Sequence, residues 1–520
     1  MSMPPILRSL LTLLPILWLI IALAVLKMPG HRACLAALAI AAALALAVWR
    51  MPALDCATSA LEGFAAALWP IILVIVAAIY TYNLSLRTGA MDVIKRMLAG
   101  VSRDKRAIVL LIGWCFGGFL EGMAGFGTAI AIPAGMLVVM GMEPVTACLV
   151  CMLANAFPTA FGSVGIPTVT LAGVTGLDPL PLAYITVIQM LPFMILMPFL
   201  MVIAGGGGVK ALKGVSGLTL AAGVSFVLPQ LAVARFLGPE LAVTVGSVVS
   251  LAVTLGLVRL RGGRPVPPEY DMGSPAPPAQ GGGREMPPLT ACLPFLLIFV
   301  FLLLTSKLVP PVNGFLARFS SSVQISTAAG AGRTAFSWVN TPGVIIFLAA
   351  VIGGCAQKAG GRLMWDTLAA TVKQMSKTIV TIMSVLAVAK IMTYSGMISD
   401  MAALFVTLTG SFYPFFAPVI AAIGAFVTGS GTNTEVLLGR LQTEAASAIG
   451  ASQFWLAAAN STGAGIGKIL SPQCIATAAA AVGLTGQDSR LLSAVLKWAL
   501  FMLVLACLVV GLLQGAAELV

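Results

Sequence analysis

The stretch that most restricts this chain runs from Trp455 to Thr485, WLAAANSTGAGIGKILSPQCIATAAAAVGLT, an apolar helical run with a polar, glycine-rich centre. That centre holds Asn460, Ser461, Thr462, Gly463, Gly465, Gly467, Lys468, Ser471, Pro472 and Gln473. Open backbone and an ammonium group are both costly in hydrocarbon, so the segment persists only where protein or a water-filled cavity meets its polar groups. It is read as an interrupted helix forming the floor of a solute site. A second copy, NAFPTAFGSVGIP from Asn155 to Pro167, also breaks an apolar run. In both, the Asn is followed seven residues on by Gly (Gly162, Gly467) and twelve on by Pro (Pro167, Pro472). Paired breaks in corresponding places of two halves point to the binding site of a carrier.

Composition agrees. Of 520 residues, 59% are hydrophobic and 9% charged, and the mean hydropathy is +1.05. Soluble domains carry about 25% charged residues, so a soluble function is excluded. The net charge of +12 is read loop by loop as a membrane orientation signal, and no Lys/Arg run with interleaved aromatics suggests nucleic acid. The nine cysteines are scattered, mostly within apolar runs, and are read as small core residues. Arg8 ahead of an apolar run looks like a signal peptide, but without a small-residue cleavage site after Leu26 it is read as an uncleaved first helix.

Apolar runs long enough for about 30 Å of hydrocarbon divide the chain into parts. Residues 1–66 hold N-terminal spans, and 67–204 a first repeat with a hairpin and a broken helix. A helix pair follows at 205–258, then a Pro/Gly-rich linker at 259–288 that cannot bury a core. Residues 289–365 hold spans with an external loop, and 366–520 a second repeat with its own hairpin and broken helix. The hairpin breaks are Glu121-Gly-Met-Ala-Gly-Phe-Gly127 and Thr428-Gly-Ser-Gly-Thr-Asn-Thr-Glu435. Gly89 against Gly396, Gly122 against Gly429 and Asn155 against Asn460 lie 305 to 307 residues apart, the signature of a duplication. Basic residues follow the first span of one copy (Arg87, Lys95, Arg96, Arg103, Lys105, Arg106) and precede that of the other (Lys358, Arg362, Lys373, Lys377), so the copies are expected to be inverted across the membrane, with both termini outside. The fold class is thus an all-α polytopic membrane protein with two inverted-topology repeats, re-entrant hairpins and broken transmembrane helices.

Lys468 is the one cation in either broken helix and is expected to meet a substrate carboxylate, against the alternative that it pairs with Glu435 or Glu121 as scaffold. The lone histidine, His31, falls in a loop, so a proton relay must use carboxylates, and burial brings a carboxylate toward the range where it holds a proton. Glu121 is the first candidate and Glu435 the second, each weighed against a role as a capping carboxylate. Gly125, Phe126 and Gly127 at one hairpin tip, and Ser430, Thr432 and Asn433 at the other, join Asn155, Asn460, Ser461, Ser471 and Gln473 as candidate substrate contacts. Glycine allows close approach and the others offer neutral hydrogen bonds, although small residues also serve helix packing. GAGIGK is not a phosphate loop: Thr462 stands where Gly is needed and Ile469 where Ser/Thr would bind magnesium. No metal or other cofactor is expected. An enzyme is disfavoured by the lack of a His/Cys/Asp cluster, and a channel by inverted duplication with interrupted helices.

FLEGMAGFG (Phe119 to Gly127), FGSVGIP (Phe161 to Pro167), VTGLD (Val174 to Asp178), AANSTGAGIGKILSPQ (Ala458 to Gln473) and GLTGQD (Gly483 to Asp488) resemble the lactate permease family, which includes glycolate permeases. The resemblance implies proton symport of L-lactate, D-lactate or glycolate across a bacterial inner membrane. It also implies an elevator-type carrier of the wider ion-transporter superfamily, often a homodimer in contact with lipid. The chain departs from the family at the second hairpin tip, where Gly431 replaces an Asp and a carboxylate stands at Glu435. Arg440 and Lys390 are also foreign to the pattern. A sodium-coupled carrier of another organic anion therefore stays open as an alternative.

Overall fold

The computed structural model describes residues 5–26, 28–99, 101–125, 127–261, 265–273, 286–306, 309–484 and 487–515. Apart from one short two-stranded hairpin, Ser320–Val323 against Thr334–Ser337, its regular elements are helices. Ten helices are long and apolar enough to cross a membrane, and the bent pair Pro144–Asn155 and Pro158–Thr175 makes an eleventh. This is a multi-pass membrane protein. Half of linker 259–288 and the tip residue Phe126 lie outside the described residues.

The two repeats follow the same element order. In the first, a hairpin of Lys105–Met123 and Thr128–Val139 precedes a bent helix, Pro144–Asn155 then Gly162–Thr175, and the span Pro179–Gly206. In the second, a hairpin of Tyr413–Thr428 and Gly431–Ile449 precedes Gln453–Leu470 with Pro472–Ala481, and the span Asp488–Leu512. Packing between them is reciprocal. The outer half of the first bent helix, Gly162–Thr175, lies on the second arm of the second hairpin, while Pro472–Ala481 lies on the second arm of the first. Likewise Pro179–Gly206 packs on Gln453–Leu470, and Asp488–Leu512 on Pro144–Asn155. Each half thus completes the other's core, so neither buries its apolar faces alone.

The two breaks are built differently. The first bends by 56°, through a 3-10 turn at Pro158–Phe161, and then holds Ser163, Val164 and Gly165 at φ of 45°, 59° and 75°. A β-branched residue at positive φ is strained, and such strain persists only where the surroundings over-determine it. Here the Ser163 hydroxyl donates to the Ala124 carbonyl at 2.8 Å, and Gly165 presses against the backbone of Pro239 and Glu240. The second break is narrower than the sequence suggests. Gln453–Leu470 is one uninterrupted helix through Asn460 and Lys468, and the chain turns only at Ser471. The glycines there form a packing seam: a Cβ at Gly463 or Gly467 would overlap the Pro418 or Ala422 carbonyl of the neighbouring hairpin arm, and one at Gly465 the Ala156 carbonyl.

Two further differences come from regions where apolar runs are diluted. Ala53–Ala66, which holds no apolar run long enough to be read as a span, is a helix joined through a kink at Trp69 to Leu73–Arg87. The first span of the second copy is the end of a single 34-residue helix, Gly361–Tyr394.

Candidate functional site

Both hairpin tips and both breaks converge on one cavity of about 680 Å³. Gly127 reaches it from the first hairpin and Gly429 to Asn433 from the second; Thr159, Gly162 and Ser163 reach it from the first bent helix, and Lys468 and Gln473 from the second. Its mouth is marked by Met28 to His31, Lys377 and Asp488.

Glu121 and Lys468 form the charged part of the wall. The Lys468 ammonium lies 3.1 Å from Glu121 Oε1, and both residues are almost wholly buried, at 8% and 2% exposure. Thr159 donates its hydroxyl to the same oxygen at 2.8 Å and also contacts the ammonium, while Asn155 Nδ2 donates to Oε2 at 2.7 Å. Such an ion pair holds in low dielectric because extra hydrogen bonds satisfy both charges. The partners come from three separate segments: Glu121 from the first arm of the first hairpin, Asn155 and Thr159 from either side of the bend in the first bent helix, and Lys468 from the last turn of Gln453–Leu470. Gly162 must be glycine at this point, because a Cβ would fall 2.5 Å from Glu121 Oε1.

Glu435 has different company. It is 1% exposed, does not line the cavity, and accepts from Asn460 Nδ2 at 2.7 Å. Asn460 is held in turn by the Thr434 carbonyl and by Gln442, whose amide oxygen accepts from the Tyr413 hydroxyl at 2.9 Å. Among the described residues, no cation forms an ion pair with Glu435.

The remaining sequence candidates separate into lining and supporting residues. Ser430, Thr432, Asn433, Gly127 and Gln473 line the cavity. Ser430 caps its helix by accepting from the Asn433 N–H at 3.3 Å, and the Asn433 Oδ1 is buried without a partner. Gly429 sits directly against the Gln473 side chain, and Gly431 faces Thr159, so the second tip rests between the two breaks beside the ion pair. Asn155, Asn460, Ser461 and Gly125 are buried behind the wall, and Gly125 packs on the Ser163 hydroxyl. Ser471 is a cap: its hydroxyl donates to the Lys468 carbonyl at 2.7 Å and accepts from the Cys474 N–H at 3.2 Å. Among the described residues, no group of His, Cys, Asp and Glu could hold a metal.

Sequence reasoning passed over Thr159, although it stands four residues after Asn155 within the first break. It also gave Lys390 no partner. Glu62 pairs with it at 2.6 Å, from a helix 328 positions away.

Residues 8–516 match the profile of the L-lactate permease family. An L-lactate permease of Streptococcus iniae is 42% identical over 451 residues, spanning 87% of this chain and 93% of the relative. The glycolate permease GlcA of Escherichia coli (strain K12) is 34% identical over 533 residues, spanning 95% and 93%. Among solved structures, the Alcanivorax borkumensis YdaH transporter overlaps 88% of this chain and 87% of its own, with 15% identity and a TM-score of 0.46. Permeases are transporters rather than enzymes, and by family profile and by relatives matched along most of their length, this chain belongs to the L-lactate permease family.

Proposed function

We propose that the protein imports a small monocarboxylate, L-lactate, D-lactate or glycolate, together with a proton. The observation that carries this is the Lys468–Glu121 pair in the cavity wall. A neutral pair in low dielectric cannot take up a carboxylate without leaving one negative charge unbalanced. If Glu121 takes a proton, its hold on Lys468 loosens, the ammonium is free for the incoming carboxylate, and the site stays neutral. One anion then travels with one proton because the cavity tolerates neither alone. Thr159 contacts both partners and can hold the ammonium in place during the exchange. Glu435, behind the wall, ranks second as a coupling group.

Gly127, Ser430, Thr432, Asn433 and Gln473 form the remainder of the pocket, with Phe126 as a further candidate. Transport proceeds by rigid displacement of hairpins and bent helices against the other spans. Reciprocal packing of the halves and the opposite placement of their basic residues support an inverted repeat. The same charge pattern supports an inner-membrane orientation with both termini outside and the present mouth, at His31 and Lys377, facing the cytoplasm. A sodium-coupled reading draws support from the unpartnered buried oxygens of Asn155 and Asn433. Uptake of labelled lactate into proteoliposomes under separately imposed pH and sodium gradients decides between them. Accumulation driven by the pH gradient alone supports symport with protons; accumulation that needs sodium overturns it.

A further inference from the structure

A second group of charged residues lies away from the cavity, on the side opposite its mouth. Lys377 lines the mouth, and thirteen residues further along the same helix is Lys390, a rise of about 20 Å. Arg440 lies seven residues beyond the last cavity-lining position of the second hairpin, Asn433, and Thr175 eight beyond Pro167 of the first bent helix. All three therefore stand on the closed side of the site.

The group has a rigid part and a loose part. Glu62 is 2% exposed and accepts from Lys390 at 2.6 Å and from the Tyr394 hydroxyl at 3.0 and 3.1 Å, one bond to each oxygen. One residue on, Gly63 lies against the backbone of Ala387 so tightly that a Cβ would come within 2.6 Å of it. An ion pair with its carboxylate buried and its ammonium half-buried, beside backbone-to-backbone packing, fixes Ala53–Ala66 to Gly361–Tyr394. Arg440 is held more weakly. It pairs with Glu444 of its own helix at 3.0 Å, and its Nη1 donates at 3.4 Å to the Thr175 carbonyl, where the first bent helix ends. Its side chain is 36% exposed, and its helix packs against Gly361–Tyr394, the helix that carries Lys390 and Tyr394. A guanidinium at a helix C-terminus is favourable, but a long bond to a neutral carbonyl is readily broken.

We propose that Arg440 is the bolt of a gate on the closed side: it ties the second hairpin to the end of the first bent helix at Thr175, beside a fixed post made of Glu62, Lys390 and Tyr394. Opening that face requires Arg440 to leave Thr175 while the post stays intact. The gate rests on the carrier reading, since only a cavity that changes faces needs one.

The test uses the full-length protein with its nine cysteines replaced and a single reporter, Thr477→Cys, in the cavity wall. Sealed membrane vesicles of each orientation are treated with a membrane-impermeant maleimide. In Arg440→Gln, labelling from the face opposite the mouth is expected to rise about tenfold over the parent, while labelling from the mouth falls. The double variant Arg440→Glu with Glu444→Arg keeps the pair on the helix but moves the guanidinium one turn from Thr175, and it is expected to behave like Arg440→Gln. Parental labelling in Arg440→Gln, or a double variant that labels like the parent, overturns the gate. So does Glu62→Gln if it, and not Arg440→Gln, changes the sidedness. Lactate counterflow in the same vesicles separates the two readings: a parent without counterflow points to failure of the carrier reading, and a parent with counterflow but unchanged sidedness in Arg440→Gln to failure of the gate alone.

Discussion

The Glu121 and Glu435 clusters are two answers to one problem, a carboxylate buried among helices. Each accepts a 2.7 Å hydrogen bond from the asparagine that opens a repeat's broken-helix motif, Asn155 in one case and Asn460 in the other. Beyond that they diverge. Glu121 has a hydroxyl and an ammonium on its second oxygen and faces the cavity, whereas Glu435 is backed by neutral amides and lies behind the wall. The carboxylates also come from different arms, the first arm of one hairpin and the second arm of the other. The asparagine is thus common to both clusters while the charge around it differs, and the proposed exchange of partners with a solute falls to the cluster that faces the cavity.

The largest effect that sharpens this contrast belongs to Lys468→Met. It removes the cation proposed for the solute and leaves Glu121 without its partner, so affinity for lactate is expected to fall at least 100-fold, in keeping with about 3 kcal/mol or more for breaking a buried pair. Titration calorimetry on purified protein gives the number, and parental affinity would break the contrast at its strongest point. Asn460→Ala comes next. Glu435 has few other donors, so its loss is expected to lower the melting temperature more than Asn155→Ala does, in line with about 1–3 kcal/mol for an unsatisfied buried group. Equal shifts in the two variants would mean the clusters are not different in the way described. Thr159→Val should raise the lactate dissociation constant by about ten- to a hundredfold, the worth of one hydrogen bond to charged partners. Glu435→Gln is expected to leave lactate affinity within about threefold of the parent, and a drop matching that of Lys468→Met would place Glu435 in the solute site instead.

The smallest effect lies outside the membrane spans. Burial pushes the Glu143 carboxyl up, but bonds from the Thr146 N–H and hydroxyl and the charge of Arg490 outweigh it and hold the group below the ordinary carboxylate range. A depressed carboxylate contributes stability that is present above its unfolded value and lost as pH falls through its folded one. Glu143→Gln should therefore melt slightly below the parent at neutral pH, and the gap should close below about pH 4.

Much of this was legible in the chain because hydrocarbon imposes simple rules. Long apolar runs gave the spans, and Asn, Pro and Gly inside them gave the first break and both hairpin tips. The second break was drawn too wide because Gly463, Gly465 and Gly467 look the same in sequence whether they open a helix or let another backbone approach it, and here they do the latter. Lys468 and Glu121 were both singled out, but their contact joins residues 347 positions apart and only folding brings them together. Glu62 was hidden for a further reason. Its helix, Ala53–Ala66, mixes Asp, Thr, Ser and Glu into the apolar pattern, so it gives no span signal, although its polar residues find partners at Ser326 and Thr327 and in Gly361–Tyr394.

The central claim is that Glu121 must take a proton before Lys468 can take a carboxylate. Counterflow and pH-driven uptake of labelled L-lactate by Glu121→Gln in proteoliposomes test it together. A permanently neutral side chain at that position should leave exchange running and abolish the response to an imposed pH gradient. Parental accumulation driven by the gradient in this variant would contradict the account.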